Sequence, residues 1–329
     1  MRFLPHTTDS VSIGGRMKKF FLFVLLTILA VTPAIVMADD QLFIGYACNN
    51  FNDTFQTVIE GYAKDFAAKN NIKYESADGK EDSMAQLDQI TAFINEGVNA
   101  LVVVPVDPTA MQPVIDQAKA ANIPLVFVNR TPFTAADGSD IPDGVYYVGS
   151  KSIDAGIFQA QYVVDKLGKD AKVGYAVLLG ELSNEATTAR TEGNKQGFKD
   201  CPNYTELAEQ GGHWQRDQGL SITENWITAY GDKLNVILGN NDEMALGAVE
   251  ALEQAGIKDK VMVLGVDLID DAKVAIEAGR LDASVLQDGK GQGAGAMEVA
   301  MKAAKGEKPD KLTNVPFVLV TKDNLADYK

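Results

Sequence analysis

Short apolar runs recur along the chain at residues 42–47, 100–104, 124–128, 173–179, 234–238 and 261–266. Runs this short, without polar alternation, mark strands covered on both faces, as in parallel sheets. Between them the apolar positions recur three and four apart, in Phe55, Val58, Ile59, Tyr62, Ala63 and Phe66, and again in Met84, Leu87, Ile90 and Ile94. That spacing predicts helices with one buried stripe. The alternation is the βαβ rhythm of a doubly wound α/β protein, and it starts twice. About five strands end near Gly149 and a second series begins at Val173, with no Pro/Ser-rich linker between. Two similar parallel-sheet lobes are expected, with the carboxyl ends of their strands walling a cleft.

One joint is unusually polar. After the run ending Val236-Ile237-Leu238-Gly239 stand Asn240, Asn241 and Asp242, followed at once by a helix pattern. A single such residue is enough to cap a helix. The others sit where a parallel strand opens on its ligand crevice, so Asn241 is expected to reach a guest and Asp242 to cap.

The N-terminal segment changes the setting. Met17-Lys18-Lys19, the apolar run 20–31 and then Thr32-Pro33-Ala34-Ile35-Val36-Met37-Ala38 form a basic region, an apolar region and a short-residue region. This is the pattern of a secretory signal peptide, with cleavage expected after Ala38. The sixteen residues before Met17 read as an upstream extension, so residues 1–38 are set apart from the fold. No Cys lies near the cleavage point to carry a lipid, and the mature protein is expected to be free in the periplasm. Removing Arg2, Arg16, Lys18 and Lys19 together with Asp9, a net +3, takes the formal charge from −15 to −18. Such an acidic body repels nucleic acid and anionic membranes, which favours a small ligand that is neutral or cationic. Cys48 and Cys201 fall in different halves of the chain and are expected to remain unpaired.

Several chemistries are excluded by residue type. Only His6 and His213 occur, and His6 leaves with the leader, so neither a His-based triad nor a multi-His metal site is available. No G-x-S-x-G elbow and no phosphate-binding G-x-x-x-x-G-K-S/T loop is present. Gly289-Lys290-Gly291-Gln292-Gly293-Ala294 fits a dinucleotide-binding pattern but follows the last long strand runs instead of opening a βαβ unit. Its glycines are expected to let a helix pack closely on the sheet, and no cofactor is expected.

Six stretches then follow in order: Phe51-Asn52-Asp53-Thr54-Phe55, Val126-Phe127-Val128-Asn129-Arg130-Thr131-Pro132, Tyr147-Val148-Gly149, Asn240-Asn241-Asp242-Glu243-Met244-Ala245, Gly265-Val266-Asp267 and Val285-Leu286-Gln287-Asp288. Together they resemble the periplasmic sugar-binding proteins of ABC importers, the galactose/glucose and ribose group, over nearly the whole mature chain. The resemblance implies the type I periplasmic binding protein fold: α/β, two similar doubly wound parallel-sheet lobes joined by three crossovers. It places residues 39–148 with 287–315 in the N-terminal lobe, and 149–286 with 316–329 in the C-terminal lobe. It also implies a polar clamp of Asp53, Asn129, Arg190, Asn241 and Asp267, with Phe55 and Trp214 as aromatic faces.

Sugar chemistry suits those residue types. Carboxylates accept from hydroxyls, Arg donates in a fork to adjacent oxygens, Asn does both, and aromatic rings cover C–H faces. Each residue has another use open to it: Arg190 in a surface ion pair, Trp214 in a core, Phe55 in the stripe of its helix, Asp267 as a cap.

Departures from the hexose-binding pattern narrow the ligand. Gly180-Glu181-Leu182-Ser183-Asn184-Glu185-Ala186 stands where galactose-type members show a His and an Asp, leaving Asn184 as the donor. Lys166-Leu167-Gly168-Lys169-Asp170-Ala171 lacks the oxygen ligands of their Ca²⁺ loop, so no metal is expected. Arg130 and Gln287 are similar to the ribose-type and cyclitol-type members. With His213-Trp214-Gln215-Arg216 and Asn225-Trp226, the pattern resembles the myo-inositol-binding branch.

The expected function is therefore the periplasmic binding component of an ABC importer, taking myo-inositol first and D-galactose, D-glucose or ribose as the alternative. Its partners would be a small neutral cyclic polyol or monosaccharide and an inner-membrane ABC permease, with no nucleic acid; whether a chemoreceptor also reads the closed form stays open. An NAD-dependent oxidoreductase is the distant alternative, weakened by the lack of a proton-transfer residue. A sugar-sensing repressor would need a DNA-binding head where the leader stands.

Overall fold

A computed structural model describes residues 41–328, so the leader and its cleavage point lie outside the described residues. The chain opens with β1 (Phe43–Cys48), α1 (Thr54–Lys69), β2 (Lys73–Asp78), α2 (Ser83–Asn95), β3 (Ala100–Val103), α3 (Gln112–Ala120), β4 (Leu125–Val128) and β5 (Val145–Gly149). It continues with α4 (Ser152–Leu167), β6 (Val173–Leu179), α5 (Glu185–Phe198), β7 (Tyr204–Gly211), α6 (Arg216–Tyr230), β8 (Val236–Gly239), α7 (Asp242–Gln254), β9 (Met262–Asp267), α8 (Asp270–Glu277) and β10 (Ala283–Leu286). The final elements are α9 (Gly289–Ala304), β11 (Leu312–Asn314) and β12 (Val318–Thr321).

The strands form two six-stranded sheets, ordered β11-β5-β4-β3-β1-β2 and β12-β10-β9-β8-β6-β7. The neighbouring pairs are parallel except β10 with β12. The chain passes from the first sheet to the second after β5, returns after β10, and crosses again between β11 and β12. These are the two α/β lobes and three crossovers that the resemblance implied.

The apolar runs are continuous because each strand feeds two cores. Ile44, Tyr46, Val102, Val104, Val126 and Val128 pack with α1 and α9 on one face of the first sheet. Their sequence neighbours Ala47, Leu101, Val103, Leu125 and Phe127 pack with α2 and α3 on the other. With a side-chain period of two, a strand that is apolar at every position is the one that helices cover on both sides. The second sheet divides in the same way, β8 sending Ile237 to one core and Val236 and Leu238 to the other.

Two expectations require correction, and two strands carry no mark in the sequence. The buried face of α1 is Phe55, Ile59, Ala63 and Ala67, whereas Val58 and Tyr62 are exposed, as is Met84 in α2. The core meets one narrow stripe of each helix, and these residues flank it. The glycine run opens α9, but its closest approach is to a helix instead of the sheet: a Cβ on Gly293 would lie 2.2 Å from the Ile59 carbonyl oxygen in α1. Strands β2 and β7 carry no apolar run, because each is a sheet edge whose side chains are half-buried or exposed.

Cys48 and Cys201 are buried, unpaired thiols, and burial pushes the Cys48 thiol up to about 12. No helix among the described residues is long and apolar enough to cross a membrane.

Candidate ligand site between the lobes

Three helices that begin just beyond strand ends present their capping residues to one place. Asp53 caps α1, its Oδ1 accepting from the amides of Phe55 (2.9 Å) and Gln56 (3.2 Å). Asn184 caps α5 through Oδ1 and the Ala186 amide at 3.0 Å, which leaves its Nδ2 as a donor. Asn241 caps α7 through the Met244 amide at 3.0 Å and donates from Nδ2 to the Trp214 carbonyl at 3.1 Å. The capping duty expected of Asp242 thus belongs to Asn241. Asp242 is wholly buried, accepting from the Ile269 amide (3.0 Å) and the Ser284 hydroxyl (2.7 Å), and so ties α7 to β10 and to the start of α8.

The second lobe adds a charged wall. Arg190, deep in α5 and 4% exposed, is no surface ion pair. It donates from Nη1 to the Asn240 carbonyl and from Nη2 to Gln287 Oε1 at 2.8 Å. Gln287 in turn donates to Asp267 Oδ1 at 3.4 Å, so the amide joins guanidinium and carboxylate. Burial lowers the Arg190 pKa, with the Asp267 charge acting against it; burial raises Asp267 well above the usual carboxylate range, and Arg190 opposes that shift. Asp53 is likewise raised by burial, with Arg130 opposing.

From the first lobe comes Arg130, 2% exposed, its Nη1 donating to the carbonyls of Pro105 (3.3 Å) and Val106 (3.2 Å). Asn129 holds Gln56 Nε2 at 2.8 Å on its oxygen and donates to Gln292 at 3.0 Å. Two arginines thus face two aspartates, an arrangement compatible with an uncharged guest rich in hydroxyls.

The aromatic residues have double duty. Phe55 packs in the first-lobe core and Trp214 against the second-lobe core, and both also line the site. A Cβ on Gly180 would lie 2.0 Å from the Trp214 indole, so only glycine lets the ring settle there. Asn129, Trp214 and Asp267 have φ of 66°, 64° and 120°, backbone strain of the kind that gathers at binding sites.

All ten residues singled out from the sequence line one cavity: Asp53, Phe55, Asn129, Arg130, Asn184, Arg190, Trp214, Asn241, Asp267 and Gln287. Ala186, in the stretch that replaces the hexose-type set, lines it too, and Gln56 and Ser152 join them without having been expected. Ser152 and Gln56 lie in the first turns of α4 and α1, and a polar residue there reads as an ordinary solvated position. Only the position of these helices behind strand ends pointed toward the site. Four buried polar atoms of the lining residues find no partner among the described residues: Arg130 Nε, Arg190 Nε, Trp214 Nε1 and Gln56 Oε1. Such atoms are costly unless something bonds them.

Two lobes with a polar, aromatic-walled cavity between opposing strand ends define a solute-binding protein. The chain belongs to the periplasmic binding protein domain family, whose model matches residues 44–308. It is 37% identical over 317 residues to a putative rhizopine-binding protein of Rhizobium meliloti, covering 95% of this chain and 99% of that one. It is 30% identical over 309 residues to a D-galactose/methyl-galactoside binding periplasmic protein of Haemophilus influenzae, covering 87% and 91%. Among solved structures, an ABC transporter solute binding protein from Bacillus halodurans with bound myo-inositol superposes with a TM-score of 0.81 at 35% identity, covering 88% of this chain and 97% of that one. These relatives are binding proteins, and the chain is one of them, not an enzyme.

Proposed function

We propose that this protein captures a cyclic polyol, myo-inositol before galactose, glucose or ribose, and hands it to an ABC permease in the inner membrane. In this reading residues 39–148 with 287–315 and 149–286 with 316–329 act as the two bodies that close on the guest, and the ten expected lining residues contact it. The observation that carries it is the set of unpartnered buried atoms on residues lining one cavity: three N–H donors on Arg130, Arg190 and Trp214, and one acceptor on Gln56. A hydroxyl both donates and accepts, so a ring bearing one at every carbon can satisfy both kinds from several directions. The cyclitol reading draws further support from the Bacillus halodurans relative, which holds myo-inositol.

The test is calorimetry on the mature chain. myo-Inositol should bind at least ~10-fold tighter than glucose, galactose or ribose, a margin of ~1.4 kcal/mol. Tightest binding of galactose, with no heat from myo-inositol, would move the assignment to the hexoses.

A further inference from the structure

We infer that Gln56 is a specificity-determining residue of this site, an acceptor for one guest hydroxyl, oriented by a relay of side-chain amides that ends at a crossover. The inference rests on the cyclic-polyol reading above. Gln56 is 3% exposed and lines the cavity, and its Oε1 has no partner among the described residues. Its nitrogen end is tied back: Nε2 donates to Asn129 Oδ1 at 2.8 Å. Asn129 Nδ2 donates to Gln292 Oε1 at 3.0 Å, and Gln292 Nε2 donates to Ser150 Oγ at 3.0 Å.

The relay therefore runs from α1 through the end of β4 to α9 and stops at Ser150, in the first crossover between β5 and α4. Gln292 is wholly buried and Ser150 nearly so. Each amide in the series donates in one direction and accepts from the other, so no member can turn over without every other member turning too. An isolated glutamine would present its oxygen or its NH₂ as the guest required. In the arrangement found, Gln56 turns its NH₂ to Asn129 and keeps its oxygen free, and that oxygen can pair only with a donor. A ring position bearing a hydroxyl supplies that donor; a ring oxygen or a deoxygenated carbon does not, and leaves the buried oxygen unpaired. Asn129, Gln292 and Ser150 are positioning residues that act through Gln56.

The experiment compares myo-inositol with its monodeoxy forms by calorimetry on wild type, Gln56→Met, Gln56→Leu and Ser150→Ala, each first shown to be folded by its melting transition. In wild type, one deoxy form should bind ~10-fold or more weakly than myo-inositol. That penalty should shrink to within about threefold in Gln56→Met or Gln56→Leu and be reduced in Ser150→Ala, while penalties at the other ring positions persist. A purely structural role would weaken all the ligands alike and leave every ratio as in wild type, which overturns the inference. If wild type holds another sugar tightest, the comparison is made with the monodeoxy forms of that sugar, so the choice of ligand and the role of Gln56 fail separately. Silence toward every cyclic polyol would overturn both.

Discussion

Asp242 is a buried carboxylate that accepts from the Ile269 amide and the Ser284 hydroxyl. Burial raises its pKa to about 7, although the Ser284 hydroxyl and the Ile269 and Leu268 amides pull it down. An unfolded aspartate ionises near ~3.9, so between about pH 4 and pH 7 the folded chain keeps a proton that the unfolded chain has lost. Stability from this residue is therefore greatest at the acid end of that window and falls as pH rises through it, the reverse of a salt-bridged aspartate. Asp242→Asn keeps the shape, with an oxygen for the Ile269 amide and an NH₂ for Ser284. Denaturant titrations at about pH 4.5 and 7.5 should show a smaller decline in the variant than in wild type. Equal declines would place the proton elsewhere.

Among the elements, the backbone contact between α1 and α9 depends on the missing side chain of Gly293. At Gly293 a Cβ would press on the backbone of Ile59, which cannot rotate out of the way. At Gly295, two residues on in the same helix, the nearest atom is a Val148 methyl at 3.5 Å, an ordinary contact. Gly293→Ala should therefore cost about 1–3 kcal/mol through overpacking. Gly295→Ala should gain up to about 1 kcal/mol from lower chain entropy in the unfolded state. Denaturant midpoints for the two variants should move in opposite directions; a rise in both would show that α9 has room at Gly293 as well, and a fall in both that it lacks room at Gly295.

Across the whole molecule, the lobes meet at the cleft mouth as well as at the crossovers. Thr54, at the start of α1, donates to Glu243 Oε1 in α7 at 2.7 Å. Glu243 is held for it by Arg216 Nε at 2.7 Å, and Arg216 also reaches Asp271 at 2.8 Å. The threonine is exposed, so the bond contributes only about 1 kcal/mol to the arrangement in which the lobes touch. Thr54→Val should therefore weaken ligand binding by about fivefold without disturbing the site itself. Small-angle scattering should show wild type compacting with saturating ligand, and the variant reaching the same compact form only at higher ligand concentration. An unchanged affinity would mean that the crossovers and the guest alone set closure.

The sequence by itself determined the layering of this protein and the residues gathered at its strand ends. Burial on both faces leaves a local mark, as in 100–104 and 124–128, and polar residues just after such runs reach the crevice at Asn129, Asn241 and Asp267, although Asn240 and Asp242 turn inward instead. Tertiary structure alone decided which of two adjacent polar residues caps α7, that Val58 and Tyr62 face outward, and that Gln56 is a lining residue with an unpaired oxygen. It also decided that β2 and β7 are strands at all, since an edge strand gains its hydrogen bonds from a neighbour and needs no apolar run of its own. The division has one physical cause. Burial within an element repeats with the period of that element and can be read locally, whereas a hydrogen bond such as Asn129 to Gln292 joins residues 163 positions apart, and its existence depends on how separate elements come to rest against one another.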